Sequence, residues 1–358
     1  MPELISTIRT AEIVLPCGVI DETVGFFIET LGFQLEAIFP ADDPAVAVVA
    51  GHGVRLRLER GFAGAPGSLR LACADLDRVA SDSRQFEAPN GTRIELVAAE
   101  APLVLPPLVP EFVLSRAGEP WHAGRAGMGY RDLIPGRQGG RFIASHIRIA
   151  QAGPVPDYVH FHEVRFQMIY CRAGWAELVY EDQGPPFRLE AGDCVLQPPR
   201  IRHRVLASSA GLEVIEMGCP ALHETRADAA LTLPTDRYEP NRDFAGQRFH
   251  RHIGAEAPWR PWRAAGFEWR DTGIAAATGG LAGAGVIRPQ GAASTGMLEH
   301  QGELLFLFVL KGTLTLDCAS RHALADGDAA TIPAGLPYRF SACAPELRLL
   351  EVTMPPLS

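Results

Sequence analysis

The chain has 358 residues, which is long for one ordinary domain and predicts about two or three domains with separate cores. Apolar residues make up 47% and charged residues 21% of the chain, as in ordinary globular proteins. The formal net charge of -9 argues against a track for nucleic-acid phosphates and leaves small charged substrates open.

The composition also bears on where the protein works. The opening stretch MPELISTIRTAEIV lacks a basic region followed by an apolar run, so no signal peptide is predicted. No apolar segment reaches the roughly 18 residues that span a bilayer, and no membrane partner is expected. The seven cysteines are scattered, odd in number and free of CxxC pairs, which indicates reduced thiols and a cytoplasmic protein.

The first block of the chain, residues 1–100, predicts one helix followed by strands. The helix is DETVGFFIETLGF, with apolar residues at helical spacing and a stop at Gly32. VRLRLE alternates apolar and arginine residues, which suits a sheet with one wet face. The four predicted strands are AVAVVAG, VRLRLE, LRLACAD and TRIELVA.

Two further blocks consist of short β runs broken by glycine and proline. Residues 101–112 are rich in proline, which cannot donate to a β ladder, so they are predicted to be an extended linker. The next block covers residues 113–225. A polar connector at 226–250 leads to the last block, residues 251–358.

These two blocks look like copies of each other. EPWHAGRAGMGYRD, ending at Asp132, is similar to PWRPWRAAGFEWRD, ending at Asp271. From Gly153 and Gly291 the two copies align without gaps to Gly174 and Gly312. A duplicated all-β unit of roughly 110 to 120 residues predicts two small barrels or sandwiches packed together.

The first copy contains two histidines at strand spacing. Residues i and i+2 of a strand point to the same face, so His160 and His162 project together, about 7 Å apart along the backbone. Two imidazoles at that separation can converge on one ion at about 2.1 Å each. Gln167 follows on the next strand, and the turn after Pro198-Pro199 could bring His203 to the same place.

Here the residues resemble a known family. Gly, six residues, HxH, four residues, Gln, six residues and Gly is similar to the first cupin motif, which usually has Glu at the position of Gln167. GDCVLQPPRIRH is similar to the second motif, although Arg200 replaces a usual Gly and Ala207 a usual Asn. The resemblance covers both copies, as in a bicupin. It implies a double-stranded β-barrel with one divalent ion on His160, His162, Gln167 and His203.

The amide at Gln167 has a chemical consequence. A carboxylate there would lower the charge of the site from +2 to +1, whereas an amide leaves +2 beside neutral imidazoles. Such a centre is more Lewis acidic and attracts anionic ligands, and Gln167 itself is a weak ligand close to the chemistry. Fe(II) is the metal we expect, and Mn(II), Ni(II), Cu(II) and Zn(II) stay open.

The second copy carries apolar residues where the first has ligands. Its equivalent positions hold one histidine, so we predict a metal-free barrel that is structural or holds an organic ligand, with chemistry confined to residues 140–220. The four residues are Leu298, His300, Leu305 and Tyr338.

A candidate for substrate binding lies before the HxH segment. His146 and Arg148 share one face of a predicted strand. If that face lines the barrel, Arg148 could clamp a substrate carboxylate through a bidentate pair. The alternative is an exterior arginine on a wet face, and the sequence does not choose between the two.

The first block resembles the vicinal-oxygen-chelate, or glyoxalase-like, family. AEIVLPCGVIDETVGFFIETLGF looks like its opening βα unit and NGTRIELV like its closing strand. At the four positions where members carry metal ligands, we align two carboxylates, an arginine and a serine. That is a poor ion site, so packing or oligomerisation, for example as a homodimer, is expected. The residues are Glu12, Arg57, Ser68 and Glu95.

The predicted fold class is mainly β: two cupin double-stranded β-barrels preceded by a small α+β glyoxalase-like domain. The resemblance implies a mononuclear metal enzyme on a small anionic organic substrate, with dioxygenase chemistry first. A redox-neutral lyase, isomerase or aminohydrolase is the alternative. A non-catalytic, metal-containing ligand-binding cupin stays open as a third hypothesis.

Overall fold

The computed structural model describes residues 7–79, 84–291 and 293–357. The chain divides into two compact units, Met1–Pro102 and Leu103–Ser358. Strands dominate both units. Within the described ranges, no helix combines the length and the apolar character that crossing a bilayer requires.

The first unit has two small sheets and a ten-residue helix, α1 (Ile20–Glu29). A second, short helix is α2 (Leu76–Val79). The chain leaves α1 through Gly32, whose φ of 71° suits glycine because it has no Cβ. The strands are β1 (Ile13–Pro16), β2 (Gln34–Phe39), β3 (Val46–Gly51), β4 (Val54–Glu59), β5 (Ser68–Cys73), β6 (Gln85–Glu87) and β7 (Arg93–Ala98).

These strands form two sheets, with the orders β1-β4-β3-β2 and β5-β7-β6. β1 runs parallel to β4, and β5 runs parallel to β7. Leu56 and Leu58 of β4 are buried in the core that contains α1, while Arg55 and Arg57 face away, as the alternation in VRLRLE predicts. The sequence missed β2, because that strand is exposed along most of its length and carries no alternating pattern.

The second unit is almost entirely β, with a short 3₁₀ helix (Arg125–Gly127) and two one-turn helices, α3 (Arg137–Gly140) and α4 (Ile274–Ala277). Its first strands are β8 (Val113–Ser115), β9 (His122–Ala123), β10 (Gly129–Asp132), β11 (Ile143–Ile149), β12 (Gly153–Pro154), β13 (His160–His162), β14 (Phe166–Ala173), β15 (Trp175–Tyr180), β16 (Phe187–Glu190), β17 (Cys194–Leu196), β18 (His203–Ser208), β19 (Leu212–Cys219) and β20 (Thr225–Ala227). The others are β21 (His250–His252), β22 (Arg260–Pro261), β23 (Phe267–Asp271), β24 (Gly283–Pro289), β25 (Leu304–Lys311), β26 (Leu314–Cys318), β27 (Ser320–Leu324), β28 (Ala329–Thr331), β29 (Tyr338–Ser341) and β30 (Arg348–Met354).

We call β9–β20 the N-terminal repeat and β22–β30 the C-terminal repeat. The N-terminal repeat has a large sheet, β21-β17-β14-β19-β11-β10-β9, and a smaller one, β16-β15-β18-β13-β20, with β12 on β18. The C-terminal repeat has the sheets β22-β23-β24-β30-β25-β28-β8 and β27-β26-β29. The mainly β prediction is confirmed, and in the described part of the chain each predicted barrel takes the form of two separate sheets.

The two repeats exchange the strands that precede them. β8 pairs with β28 of the C-terminal repeat, and β21 pairs with β17 of the N-terminal repeat. The sequence boundary at residue 113 therefore assigns β8 to one repeat while its hydrogen bonds lie in the other. The proline-rich residues 101–112 contain no strand or helix, and Leu105 and Leu108 pack against the core of the second unit.

Side chains on the two faces of β14 belong to two different hydrophobic cores. Phe166 and Met168 of β14 join Phe306 and Phe308 of β25 in one hydrophobic core to which both large sheets contribute. Ile169, the residue after Met168, packs against the separate core inside the N-terminal repeat. Every second residue of β14 therefore faces the interior in which the predicted site lies.

Apolar side chains pack in the interior of the C-terminal repeat where the N-terminal repeat has its histidines. Leu305, Tyr338 and Phe340 are fully buried there in one apolar cluster. His300 donates from Nε2 to the carbonyl oxygen of Ile332 at 2.8 Å. The positions that hold the predicted ligands in the first repeat thus take part in packing in the second.

Candidate metal centre

Three histidines meet inside the N-terminal repeat. His160 and His162 lie on β13, and His203 begins β18, directly opposite His160 in the strand register. Their ring centroids are separated by 5.1 Å (His160–His162), 4.3 Å (His160–His203) and 5.2 Å (His162–His203). The spacing within one strand and the pairing of two strands together bring the three rings to one place.

Each of these rings is oriented through its Nδ1 atom. The Nδ1–H groups of His160 and His203 donate to carbonyl oxygens two residues earlier, Tyr158 at 2.7 Å and Ile201 at 3.0 Å. His162 Nδ1 lies 2.9 Å from the hydroxyl of Thr225 on β20. With Nδ1 engaged on all three rings, Nε2 is left to bind a common ligand.

The three imidazoles are held neutral. Burial lowers the pKa of His160, His162 and His203 because the charged form loses its hydration, and it brings the pKa of His203 to about 3. Positive charge on the neighbouring rings and on Arg125 lowers the pKa of His162 and His203 further. Neutral imidazole is the form that binds a metal.

The geometry fits a divalent ion. One ligand nitrogen from each histidine lies within 4.8 Å of the others. Nitrogens bound to one ion at about 2.1 Å can be at most about 4.2 Å apart, so small side-chain movements would close the site. Among the described residues this is the one group of three or more His, Cys, Asp or Glu side chains with such spacing.

Gln167 faces the same interior but makes no hydrogen bond of good geometry. Its side chain is 1% exposed, and neither amide atom has a partner in the described structure. Across the sheet, Ile169 is opposite Glu216 of β19, which places the Glu216 carboxylate close to the Gln167 amide. An unpartnered buried amide is costly, and a nearby cation would offset that cost for its oxygen.

Two groups that the sequence reasoning missed lie beside the histidines. Arg125 donates from Nη2 to Nε2 of His160 at 2.8 Å, and its Nη1 lies 3.4 Å from the buried carboxylate of Asp157. Glu216 lines the same cavity. Burial raises the pKa of the Glu216 carboxyl, while the positive charges of His223 and Arg125 and the Gln167 amide act in the opposite direction.

The histidines form one wall of a cavity inside the N-terminal repeat. The opposite walls are mostly aliphatic, so the cavity suits a small, partly apolar molecule with a few polar groups. The lining residues are Arg125, Met128, Tyr130, Ile147, Ile149, His160, His162, Ile169, Ala176, Leu178, Leu189, Gln197, His203, Val205, Leu212, Val214 and Glu216.

The prediction that Arg148 faces the site needs correction. Ile147 and Ile149 of β11 line the cavity, so Arg148 lies on the opposite face of the strand, exposed and 4.1 Å above the Trp121 ring. His146 shares that outer face, where its Nε2 lies 2.9 Å from Glu213. The arginine that does enter the cavity, Arg125, comes from the turn between β9 and β10.

The candidate residues of the first unit do not form one group. Each charged one pairs with a neighbour: Glu12 with Arg55 at 3.0 Å, Arg57 with Glu59 at 2.7 Å and Glu95 with Arg70 at 3.2 Å. Ser68 begins β5, next to β7, which carries Glu95.

Comparisons with known proteins agree with the cupin resemblance. A family model described as the cupin domain matches residues 286–353. The match falls on the C-terminal repeat and not on the histidine segment. No curated protein matches the chain.

Solved structures share the fold at low identity. A salicylate 1,2-dioxygenase from Pseudaminobacter salicylatoxidans has a TM-score of 0.53 at 13% identity, covering 70% of this chain and 86% of that one. Oxalate decarboxylase from Bacillus subtilis has a TM-score of 0.51 at 12% identity, covering 70% and 77%. At such identities the likeness shows the fold alone. This chain is therefore mainly β with a cupin fold, and residues 286–353 match the cupin domain.

Proposed function

We propose that this protein is a mononuclear metal-dependent enzyme, of the dioxygenase type, that acts on a small anionic organic substrate. The observation that carries the proposal is the wall of three neutral histidines, whose ligand nitrogens lie within 4.8 Å of one another, at an apolar cavity. Three imidazole ligands leave open positions on an ion, as catalytic sites require.

The residues around the histidines have separable tasks. The aliphatic walls, which include Ile147 and Val214, hold the apolar part of the substrate and exclude water. Arg125 supplies a positive charge that attracts the anionic group. A bound redox-active ion such as Fe(II) supplies sites for substrate and O₂ and exchanges electrons between them.

The solved relatives support this choice of chemistry. The salicylate 1,2-dioxygenase carries out an oxygen-dependent reaction by name, and one of its structures is an adduct with gentisate. Oxalate decarboxylase gives the redox-neutral alternative, and the carboxylate of Glu216 inside the cavity favours that alternative as an acid–base group. A non-catalytic ligand-binding protein is the third hypothesis.

The first test is metal analysis of protein purified without a histidine tag. We expect about one divalent ion per chain, lost in His162→Ala and retained in His322→Ala, which alters a histidine of β27 in the C-terminal repeat. Two ions per chain in the wild type, or equal content in both variants, would contradict the proposed site.

The second test follows oxygen. The loaded enzyme is offered hydroxylated aromatic carboxylates and small dicarboxylates, with and without O₂, while oxygen uptake and product are measured. Uptake in step with product supports the dioxygenase. Turnover that continues without O₂ supports the redox-neutral alternative, and ligand binding without turnover supports the third.

We propose further that the first unit is glyoxalase-like and serves packing or assembly. Its β1-α1-β2-β3-β4 module, with sheet order β1-β4-β3-β2, and its shorter second sheet suit that family. The C-terminal repeat is proposed to be structural. A cytoplasmic location is supported by seven cysteines that all remain free.

A further inference from the structure

Glu216 occupies a defined position relative to the histidines. It lies on β19 opposite Ile169, while Gln167, two residues earlier on β14, lies opposite Gly218. Because side chains alternate along a strand, Gln167 and Glu216 face the same interior from adjacent strands. The carboxylate is therefore one strand away from the position at which the cupin motif usually has a glutamate.

The carboxylate of Glu216 forms no salt bridge among the described residues. The two basic groups that act on it, His223 and Arg125, have other partners: His223 Nδ1 lies 2.9 Å from the Pro220 carbonyl oxygen, and Arg125 contacts His160 and Asp157. A charged group in an apolar interior is costly unless an opposite charge compensates it.

In the C-terminal repeat, an arginine of the chain compensates the charge of the carboxylate at the equivalent position. Glu351 lies opposite Leu307 on β25, just as Glu216 lies opposite Ile169 on β14. Arg263 holds the Glu351 carboxylate in a bidentate pair at 2.7 Å and 2.5 Å, and also donates to the hydroxyl of Tyr338 at 3.0 Å. Here the carboxylate is neutralised from within the chain.

Arg125 lies in the corresponding turn of the N-terminal repeat, which is one residue shorter than the turn that carries Arg263. Counted from the preceding strand the two arginines correspond: Arg125 follows His122, which pairs with β10, by three residues, and Arg263 follows Arg260, which pairs with β23, by three residues. Arg125 nevertheless contacts Asp157 at 3.4 Å and His160 at 2.8 Å instead of a carboxylate on the central strand.

Asp157 explains the difference between the two arginines. Its Oδ2 accepts from the backbone N–H of Val205 at 3.0 Å. In the C-terminal repeat the same backbone position, Phe340, donates to the hydroxyl of Thr295 at 2.9 Å. The C-terminal repeat has a neutral threonine where the N-terminal repeat has Asp157, so a carboxylate that binds the arginine beside the histidines is found in the N-terminal repeat alone of the two.

We propose that Glu216 supplies the negative charge of the metal centre, in place of the glutamate that the cupin motif has at Gln167. This inference rests on the proposed metal site. Glu216 is not one of the three side chains that meet within 4.8 Å, so it acts on the ion from outside the nitrogen ligands. The two repeats thus carry a carboxylate at equivalent positions. Its partner is an arginine in the C-terminal repeat and a divalent ion in the N-terminal repeat.

The test compares the affinity for Co(II) in four proteins, measured by competition with a coloured chelator. They are the wild type, Glu216→Gln, the double variant Gln167→Glu/Glu216→Gln, and Glu190→Gln as a control that removes an exposed carboxylate. Substitutions just outside a metal's ligands typically weaken binding about 10- to 100-fold, and we expect that loss in Glu216→Gln. The double variant should recover most of the affinity, and the control should match the wild type.

The melting temperature of each metal-free protein completes the test. Removing an uncompensated buried charge should leave the metal-free Glu216→Gln at least as stable as the wild type, whereas a purely structural carboxylate would make it less stable. Unchanged Co(II) affinity in Glu216→Gln, or a loss that Gln167→Glu does not restore, would overturn the inference. Failure of the wild type to bind Co(II), Fe(II), Mn(II) or Zn(II) would instead refute the proposed metal site itself.

Discussion

The orientation of the three histidines depends on hydrogen bonds of two kinds. His160 and His203 are oriented by carbonyl oxygens two residues earlier in their own segments. His162 depends on the Thr225 hydroxyl, which comes from a different strand. The first two contacts follow from local backbone geometry, whereas the third exists because β20 pairs with β13.

Thr225→Val tests the importance of that third contact. Valine has nearly the same shape but cannot accept the Nδ1–H of His162, so the ring loses the partner that fixes its tautomer and angle. We expect metal affinity to fall by about tenfold or more, with little change in the melting temperature of the metal-free protein. Equal affinity in a chelator competition would show that His162 needs no such support.

His146 makes the stability of the protein sensitive to pH. Burial lowers its pKa to about 4 in the folded protein, from the usual value of 6.5 for histidine. Between these pH values the unfolded chain binds more protons, so the free energy of unfolding decreases as the pH falls. This one residue contributes at most about 1.4 kcal/mol per pH unit.

The corresponding variant is His146→Gln, whose amide can replace the contacts with Arg131 and Glu213. We expect a shallower fall in the free energy of unfolding between pH 6.5 and 4, measured by denaturant titration at several pH values. A slope identical to that of the wild type would mean that other groups dominate the acid sensitivity.

At the scale of elements, β11 and the β9–β10 turn decide which arginine meets the substrate. Both faces of β11 are covered over much of its length: Ser145, His146 and Ile147 are all buried. Its alternation therefore identifies two faces without showing which one lines the cavity. The turn, by contrast, delivers Arg125 to the cavity from outside the regular strands.

Two arginine variants separate these elements. For an anionic substrate, Arg125→Gln removes a charged hydrogen bond worth about 1.5–3 kcal/mol, and we expect KM to rise about 10- to 100-fold. Arg148→Gln, on the exposed face over Trp121, should leave KM within about twofold of the wild type. A larger effect from Arg148 than from Arg125 would contradict the assignment of the two faces of β11.

At the scale of the whole second unit, one repeat carries the three histidines and the other has packed side chains at the equivalent positions. The repeats share a hydrophobic core between their large sheets and exchange β8 and β21, so each completes the other. The C-terminal repeat can therefore stabilise the N-terminal one without chemistry of its own. Its interior contains the ion pair of Arg263 and Glu351, and Glu351 is 2% exposed.

Glu351→Gln tests this structural role. Removing one partner of a buried ion pair leaves the other charge uncompensated, and we expect a loss of about 3–5 kcal/mol in the free energy of unfolding. Metal content should stay at one ion per chain. The double variant Arg263→Met/Glu351→Leu should recover most of the stability, and a loss below about 1 kcal/mol in the single variant would refute the role.

The sequence by itself determined the β architecture, the duplication and the three histidines. Each of these is carried by local pattern: alternation within a strand, similarity between two segments, and a two-residue spacing that directs His160 and His162 to one face. The apolar residues Leu298 and Leu305 likewise indicated, without coordinates, that the second repeat lacks the ligand set of the first.

Only the tertiary structure decided which polar groups accompany the histidines. Arg125 and Glu216 lie in segments with no motif, and Arg148 lies on a strand whose two faces are both largely covered. Strand exchange also depends on pairing between distant segments, 113–115 with 329–331 and 194–196 with 250–252. Such features depend on how sheets pack and pair across the chain, and alternation along one strand carries no information about that.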